Sequence, residues 1–339
     1  MTTAAGAPSP AELALPVTDA GLAARLRSRM EVVEAELFAH TLSEADYVTE
    51  AARHLLAAGG KRFRPLLVLL AAEAGPHPDV DDVVTAACVV EITHLGSLYH
   101  DDVMDEAELR RGADSANSRF DNLVAILTGD LLFARSSELT AQLGAEAVRI
   151  QAETFARLVE GQILETVPPG PGDDPLEHYL RVVAGKTGSL IATSARYGAR
   201  FAGADAAVEE ALTAYGEIVG SAFQLSDDIL DVVSDSAESG KTPGTDLREG
   251  VPTLPVLMAL ASTDPADARL HELLRSDLTD DARHAEALAL LRAHPAVGQA
   301  RAYVQERATA AKARLEVLPA GPVRAALEAF ADIVADRSA

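Results

Sequence analysis

The chain has 339 residues, 48% of them hydrophobic and 24% charged, so it is long enough to bury a large core. Its formal net charge of −23 excludes nucleic acid and anionic membrane surfaces as expected partners, because like charges repel. No apolar run approaches the roughly 20 residues that span a bilayer, and the N-terminus lacks the pattern of a secretory signal. With a single cysteine, Cys88, an internal disulfide is impossible. These features predict a cytoplasmic protein without a transmembrane segment.

The N-terminal residues 1–20 contain three prolines and are predicted to form a mobile segment before a single domain over 21–339. In that domain, three long stretches lack proline and carry Ala, Leu and Val at helical spacing: 81–107, 122–163 and 206–233. No window shows convincing strand alternation. A Pro- and Gly-rich loop is predicted at 168–175 and an irregular segment at 234–255. The pattern predicts an all-α fold, with helices apolar on most sides as in a large bundle.

Two copies of one acidic motif occur in the predicted helices, Asp101-Asp102-x-x-Asp105 and Asp227-Asp228-x-x-Asp231. On a helix, the first and last Asp of each copy lie about 40° apart around the axis, so each copy presents two carboxylates on one face. A solvated face would explain a single copy, but both copies lie among apolar residues, where unpaired carboxylates are costly. Mg²⁺ prefers oxygen ligands and shares substrate phosphates, so the motifs predict a phosphate or diphosphate substrate.

Basic residues near the acidic motifs provide candidate phosphate ligands. They are Lys61, Arg62 and Arg64 after a Gly59-Gly60 pair, Arg110 and Arg111 just past the first motif, then Lys186 followed by Thr187, and Lys241. Arginine forks and mobile lysine charges suit phosphate oxygens, so this set is predicted to bind two diphosphates. His94 lies about 20° from the direction of Asp101 on the same helix, which favours a phosphate-donor role, and Gln224 is placed similarly before Asp227.

Together these motifs resemble the trans-isoprenyl diphosphate (polyprenyl) synthases of the long-chain type. The resemblance covers nearly the whole chain and rests on Gly59-Gly60-Lys61-Arg62-x-Arg64-Pro65, His94, Asp101-Asp102-x-x-Asp105-x4-Arg110-Arg111-Gly112, Gly185-Lys186-Thr187, Gln224-x-x-Asp227-Asp228-x-x-Asp231 and Gly240-Lys241-x-x-Gly244-x-Asp246. It implies the isoprenoid synthase fold, a large all-α bundle around a central catalytic cavity, usually in a homodimer. It also implies condensation of isopentenyl diphosphate with an allylic diphosphate. One departure is Val251, which stands where many members carry a further Lys.

The resemblance assigns roles to individual residues. The isopentenyl diphosphate site would comprise Lys61, Arg64, His94 and Arg111. The Mg²⁺ ligands, for about three ions per active site, would be Asp101, Asp105, Asp227 and Asp231. The allylic diphosphate would be held by Arg110, Lys186, Thr187, Gln224 and Lys241. Catalysis is expected to come from Asp101, Asp105, Arg110, Lys186, Asp227 and Lys241, because metal ions and basic side chains stabilise the charge on the departing diphosphate.

Product length is expected to depend on Thr93, Gly96 and Ser97, which precede Asp101 on the helix face expected to point down the cavity. Small residues there resemble the longer-chain enzymes, so a product of about six to ten isoprene units (about C30 to C50) is predicted, and Gly96→Phe is expected to shorten it. The alternatives are a short-chain geranylgeranyl or farnesyl diphosphate synthase, a non-catalytic subunit of a heteromeric synthase, and a class I terpene cyclase. Intact acidic motifs disfavour the subunit, and the absence of Trp disfavours the cyclase.

Overall fold

The computed structural model describes residues 17–234 and 243–336. Helices dominate this part of the chain, and its strands form a single two-stranded hairpin, so the predicted all-α fold is confirmed. The predicted mobile segment lies outside the described residues as far as residue 16. The first helix begins at Ala20, where the Asp19 carboxylate caps it by accepting a hydrogen bond from Leu22 N. Within the described ranges, no helix is both long and apolar enough to cross a membrane.

The chain divides into two compact units, each assembled from several segments. The first unit comprises Met1–Thr154, Thr193–Thr213 and Val317–Ala326, and the second comprises Phe155–Ala192, Ala214–Glu316 and Leu327–Ala339. That residues 21–339 behave as one domain stays a prediction.

The first unit contains the N-terminal helices and the hairpin: α1 (Ala20–His40), α2 (Asp46–Ala57), α3 (Phe63–Ala72), α4 (Asp81–Met104), β1 (Leu109–Arg110), β2 (Ala113–Asp114), α5 (Ala116–Phe120) and α6 (Asn122–Gln142). Helix α4 starts with Asp81 and Asp82, whose charges suit the positive end of a helix dipole. It then runs through the core with most of its circumference buried, as its apolar composition predicts.

Four helices contribute residues to both units: α7 (Ala145–Glu165), α9 (Ser189–Phe201), α10 (Ala206–Val233) and α16 (Pro322–Asp336). The second unit adds α8 (Pro175–Val183), a π-helical turn (Ala184–Gly188), α11 (Thr245–Glu249), α12 (Leu254–Leu260), α13 (Ala268–Leu274), α14 (Asp281–Ala293) and α15 (Pro295–Arg314). Its core includes Val232, Val256, Leu273 and Leu291, each almost completely buried. Burial of such side chains, at about 1.5–3 kcal/mol each, stabilises the short helices after α10.

The structure corrects two predicted helices and two predicted loop segments. Helix α10 spans 206–233 as predicted, but the predicted helix 81–107 ends at Met104, and Glu106 adopts a left-handed conformation with φ 48°. The predicted helix 122–163 is interrupted at Gly144, whose φ of 95° ends the helix as a C-terminal glycine does. The segment predicted to be irregular at 234–255 contains α11 and the start of α12, while its residues 235–242 lie outside the described ranges. The loop predicted at 168–175 is present up to Asp174, and Pro175 begins α8.

Candidate active site

The first acidic motif lies in the last turn of α4 and divides its carboxylates between two tasks. Asp102 is fully buried, accepting a hydrogen bond from Arg110 Nε at 2.6 Å and another from Ala116 N at 3.0 Å. Asp101 is half-buried, and the Asp105 side chain is 55% exposed at the C-cap of the helix, 3.8 Å from Arg110 Nη2. The middle carboxylate therefore holds the segment after α4 in place through Arg110 and Ala116, whereas the outer two remain accessible to a ligand.

The hairpin after α4 positions Arg110 and Arg111. Leu109 pairs with Asp114 and Arg110 with Ala113, and the turn between them has positive φ at Arg111 (55°) and Gly112 (77°). Two successive positive φ values are typical of tight hairpin turns, in which glycine relieves the strain at one position. The Arg-Arg-Gly sequence thus carried a turn signal that the sequence analysis did not use.

Arg111 is held against the loop between α2 and α3. Its Nη1 donates hydrogen bonds to Leu55 O at 2.9 Å and to Gly59 O. Gly60 has φ 137°, and a Cβ added there would lie 2.8 Å from Arg111 Cζ, so glycine leaves the space that the guanidinium occupies. The position of Arg111 therefore explains Gly60, whereas Gly59 is favoured by its own positive φ of 92°.

The remaining basic residues of the first unit differ in accessibility. Lys61 is exposed, and Arg64 Nε is buried without a hydrogen-bond partner among the described residues. An orphaned buried donor suits an anionic ligand, because it otherwise loses its hydration without compensation. Arg62, by contrast, forms ion pairs with Glu34 at 2.5 Å and Glu91 at 3.2 Å. Its role is to fix the loop.

His94 lies within this positive field. Burial, followed by the charges of Arg64 and Arg111, holds the pKa of His94 well below its usual value of 6.5. Burial also lowers the pKa of Arg64 to about 10, and it lowers the pKa of Arg111. Both arginines therefore stay charged near neutral pH while His94 is neutral. The structure brings together the predicted isopentenyl diphosphate residues His94, Arg64 and Arg111 as one cationic site.

The second acidic motif, in the second unit, repeats the division seen in the first. Asp228 is 5% exposed and accepts hydrogen bonds from the Tyr179 hydroxyl and from Gln224 Nε2, the latter at 2.9 Å. Burial raises the pKa of Asp228 to about 6. Asp227 and Asp231 are half-buried. Tyr179 is a residue that the sequence analysis missed, because nothing local marks an α8 tyrosine as a partner of α10.

Asp231 has an additional structural role. Its Oδ1 accepts a hydrogen bond from Thr245 N at 3.2 Å, and its Oδ2 accepts one from Asp246 N at 3.1 Å. These are the first amides of α11, so the last carboxylate of the motif caps the next helix. Each carboxylate oxygen retains lone pairs, so the cap does not prevent ligation of a cation.

Lys186 and Thr187 lie in the π-helical turn after α8. Lys186 Nζ donates to Glu165 Oε2 at 2.5 Å, and Thr187 Oγ1 donates to Gln224 Oε1 at 3.1 Å. The turn packs tightly on α7, since a Cβ added at Gly161 would overlap Lys186 N. π-Helical turns are frequent at functional sites. Lys241, also predicted to bind the allylic diphosphate, lies outside the described residues.

The residues predicted to set product length have defined neighbours on α6 and α7. Thr93 Oγ1 is 2.7 Å from Ser136 Oγ and accepts a hydrogen bond from Gln151 Nε2 at 2.8 Å. Ser97 Oγ donates to a main-chain carbonyl of its own helix. A Cβ added at Gly96 would lie 3.0 Å from Phe133 Cε1. Phe133 thus occupies the space beside Gly96, and the role of these three residues in product length stays a prediction.

Acidic side chains are the available metal ligands in both motifs. Among the described residues, no group of three or more His, Cys, Asp or Glu side chains is placed to hold a metal ion by itself. The accessible carboxylates, Asp101 and Asp105 in one unit and Asp227 and Asp231 in the other, are hard oxygen donors of the kind that Mg²⁺ binds together with water and substrate phosphates. The donor set fits that ion.

Comparison with known proteins identifies the family. The sequence profile described as polyprenyl synthetase matches residues 45–291. The chain is 50% identical to a nonaprenyl diphosphate synthase of Mycobacterium tuberculosis, over 94% of this chain and 95% of that protein. A geranylgeranyl pyrophosphate synthase from Corynebacterium glutamicum, complexed with calcium and isoprenyl diphosphate, superposes with a TM-score of 0.86 at 46% identity, covering 96% of this chain and 99% of that one. A decaprenyl diphosphate synthase from Rhodobacter capsulatus gives 0.86 at 35% identity, covering 94% and 99%.

The chain therefore belongs to the polyprenyl synthetase family. This confirms the predicted family, the prenyltransferase class and the isoprenoid synthase fold.

Proposed function

We propose that the protein is a Mg²⁺-dependent, all-trans polyprenyl diphosphate synthase that condenses isopentenyl diphosphate with an allylic diphosphate. The observation that carries the proposal is the repeated division within the acidic motifs. In each, the middle carboxylate is buried and bound by protein donors, whereas the outer ones are less buried, although Asp231 also accepts two main-chain hydrogen bonds. The Corynebacterium relative is complexed with calcium and isoprenyl diphosphate, which supports a divalent cation and a diphosphate here.

The roles proposed for the first unit follow from its charges. Arg64, Arg111 and His94, with Lys61, bind isopentenyl diphosphate. Burial and, after it, the positive charges of Arg64 and Arg111 lower the pKa of His94, and those same charges attract the diphosphate anion. Asp101 and Asp105 hold Mg²⁺, and Arg110 contacts the allylic diphosphate from its anchor on Asp102.

In the second unit, we propose that Asp227 and Asp231 hold Mg²⁺, for about three ions per active site in total. Lys186 exchanges its Glu165 partner for the allylic diphosphate, and Thr187, Gln224 and Lys241 complete that site. When bound, Mg²⁺ helps to neutralise the negative charge of the departing diphosphate. Arg110, Lys186 and Lys241 stabilise the same charge, and the released diphosphate is the base that accepts the proton from the new chain.

For the product, we propose about six to ten isoprene units (about C30 to C50). The nonaprenyl relative supports a long product, while the geranylgeranyl relative is nearly as similar. The short-chain alternative gains support from one observation, the Phe133 ring packed beside Gly96.

The test is incubation of the purified chain alone with Mg²⁺, isopentenyl diphosphate and geranyl, farnesyl or geranylgeranyl diphosphate, followed by sizing of the products by mass. Linear products within the proposed range would support the long-chain synthase. A product that stops at geranylgeranyl length and is extended by Phe133→Ala would establish the short-chain alternative. Absence of elongation with every primer would favour the non-catalytic subunit, and cyclic hydrocarbons would favour the cyclase.

We also propose a cytoplasmic homodimer. Helix α6 exposes an apolar stripe at i, i+3 and i+4, in which Leu123 is 66%, Ile126 42% and Leu127 56% exposed. Such stripes mark interaction surfaces, and a second copy of the chain would cover this one with like residues. Light scattering should give twice the chain mass for the wild type and a lower mass for Leu127→Glu.

A further inference from the structure

His100 immediately precedes the first acidic motif, yet its side chain enters a recess on α6. Its Nε2 lies 3.1 Å from Ile126 O, a distance at which the protonated nitrogen donates a hydrogen bond. The same nitrogen is 3.5 Å from Asp130 Oδ1. The imidazole also packs edge-to-face on Phe133, with ring centroids 5.4 Å apart and an interplanar angle of 77°. The side chain is thus held by polar contacts with Ile126 O and Asp130 and by an aromatic contact with Phe133.

Gly129 forms the base of this recess. A Cβ added at Gly129 would overlap Cδ2 and Nε2 of the His100 ring. A glycine within a helix such as α6 lowers helix stability by about 1 kcal/mol relative to alanine. The recess therefore exists because this position has no side chain, and His100 fills it.

This contact lies in the last turn of α4. The helix ends at Met104, so the main-chain carbonyls of that turn depend on donors from the residues that follow: Asp105 N donates to Asp101 O at 2.8 Å, and Ala107 N donates to Asp102 O at 3.0 Å. That same turn carries Asp101 and ends at Asp105. Asp102 anchors it toward Arg110 and Ala116, whereas His100 anchors it toward α6.

We infer that His100, seated against Gly129, is a positioning residue that fixes the Asp101 and Asp105 carboxylates for Mg²⁺ and the allylic diphosphate. The inference rests on the proposed function, because it takes these carboxylates as the metal ligands. His100 itself contacts neither substrate nor metal in this account. Its loss should weaken the metal and allylic site while leaving the isopentenyl site, built on Arg64 and Arg111, intact.

The test compares His100→Ala, His100→Gln and Gly129→Ala with the wild type. We expect His100→Ala and Gly129→Ala to raise the Mg²⁺ concentration for half-maximal activity about tenfold, with the KM for isopentenyl diphosphate changed less than about twofold. Glutamine can donate to Ile126 O through its amide, so His100→Gln should recover most of the loss. If Gly129→Ala fails to fold, His100→Ala, which only removes atoms, still gives the answer.

Two measurements do not depend on turnover. Calorimetry with Mg²⁺ and inorganic diphosphate should show weaker binding in His100→Ala, and amide hydrogen exchange should be faster at 101–105. Leu139→Ala is the matched control, because Leu139 is a buried α6 residue away from the recess and its truncation should lower thermal stability only. Unchanged Mg²⁺ dependence and exchange in His100→Ala, or equal effects in Leu139→Ala, would overturn the inference. A wild type without Mg²⁺-dependent elongation would instead refute the proposed function.

Discussion

Replacing the middle aspartate of the first motif should lower the stability of the fold, whereas replacing the last one should lower catalytic activity. Asp102 is fully buried and accepts two hydrogen bonds, from the Arg110 guanidinium at 2.6 Å and from Ala116 N at 3.0 Å. An asparagine amide offers one acceptor oxygen in place of two, so Asp102→Asn leaves one donor facing an NH₂ group. A hydrogen bond to a charged group contributes about 1.5–3 kcal/mol and an orphaned buried donor costs about 1–3 kcal/mol. We expect a loss of about 2–4 kcal/mol in the free energy of unfolding, because partial exposure of Arg110 moderates the sum.

Asp105→Asn is the matched variant. Its side chain is 55% exposed and 3.8 Å from Arg110, so it should change the free energy of unfolding by no more than about 0.5 kcal/mol. If Asp105 ligates Mg²⁺, the same change should lower kcat about a hundredfold or more.

Urea unfolding followed by circular dichroism, without Mg²⁺ and near pH 7, measures the stability difference, and product formation at saturating substrates measures kcat. We expect a lower urea midpoint at unchanged slope for Asp102→Asn alone. A stable Asp102→Asn together with an unfolded Asp105→Asn would show that the division within the motif has been misassigned.

Three further predictions concern the phosphate-binding residues. Because the pKa of His94 is lower in the folded chain than in the unfolded chain, acid protonates His94 in the unfolded chain first. The stability contributed by neutral His94 is therefore present above about pH 6.5 and is lost as the pH falls below it. His94→Gln should reduce that loss of stability, measured by urea unfolding at about pH 5.5. Gly60→Ala should displace Arg111 and raise the KM for isopentenyl diphosphate several-fold; an unchanged KM would separate Arg111 from that site. Glu165→Gln frees Lys186 and should lower the KM for the allylic diphosphate about two- to fivefold, since partly exposed ion pairs contribute up to about 1 kcal/mol; a higher KM would mean that Glu165 orients the lysine.

Local patterns predicted much of this molecule. The α10 helix carries its periodicity over its whole length, so its bounds followed from the sequence. The end of α4 did not, because the positive φ of Glu106 depends on packing after the helix. Gly144, in contrast, was a readable signal for the break between α6 and α7.

The site shows the same limit. The sequence identified three carboxylates in each motif, but Asp102 and Asp228 owe their burial to Arg110 and Tyr179, which long-range folding brings to them. That Phe133 lies beside Gly96 could not be predicted either, because the two residues come from different helices. Spacing within one helix predicts direction, whereas the neighbour in that direction belongs to tertiary structure.

The cap that Asp231 provides for α11 links ligand binding to the order of the chain. A five-residue helix has little stability of its own, and a carboxylate cap contributes about 1 kcal/mol to it. The cation proposed at Asp231 would share the oxygens that accept hydrogen bonds from the amides of Thr245 and Asp246. Under that proposal, cation binding to the second motif and formation of α11 are thermodynamically coupled, and the coupling acts equally in both directions. A substitution in α11 that unfolds this helix should therefore change the affinity of Asp231 for the cation, even if the substituted residue does not contact the cation.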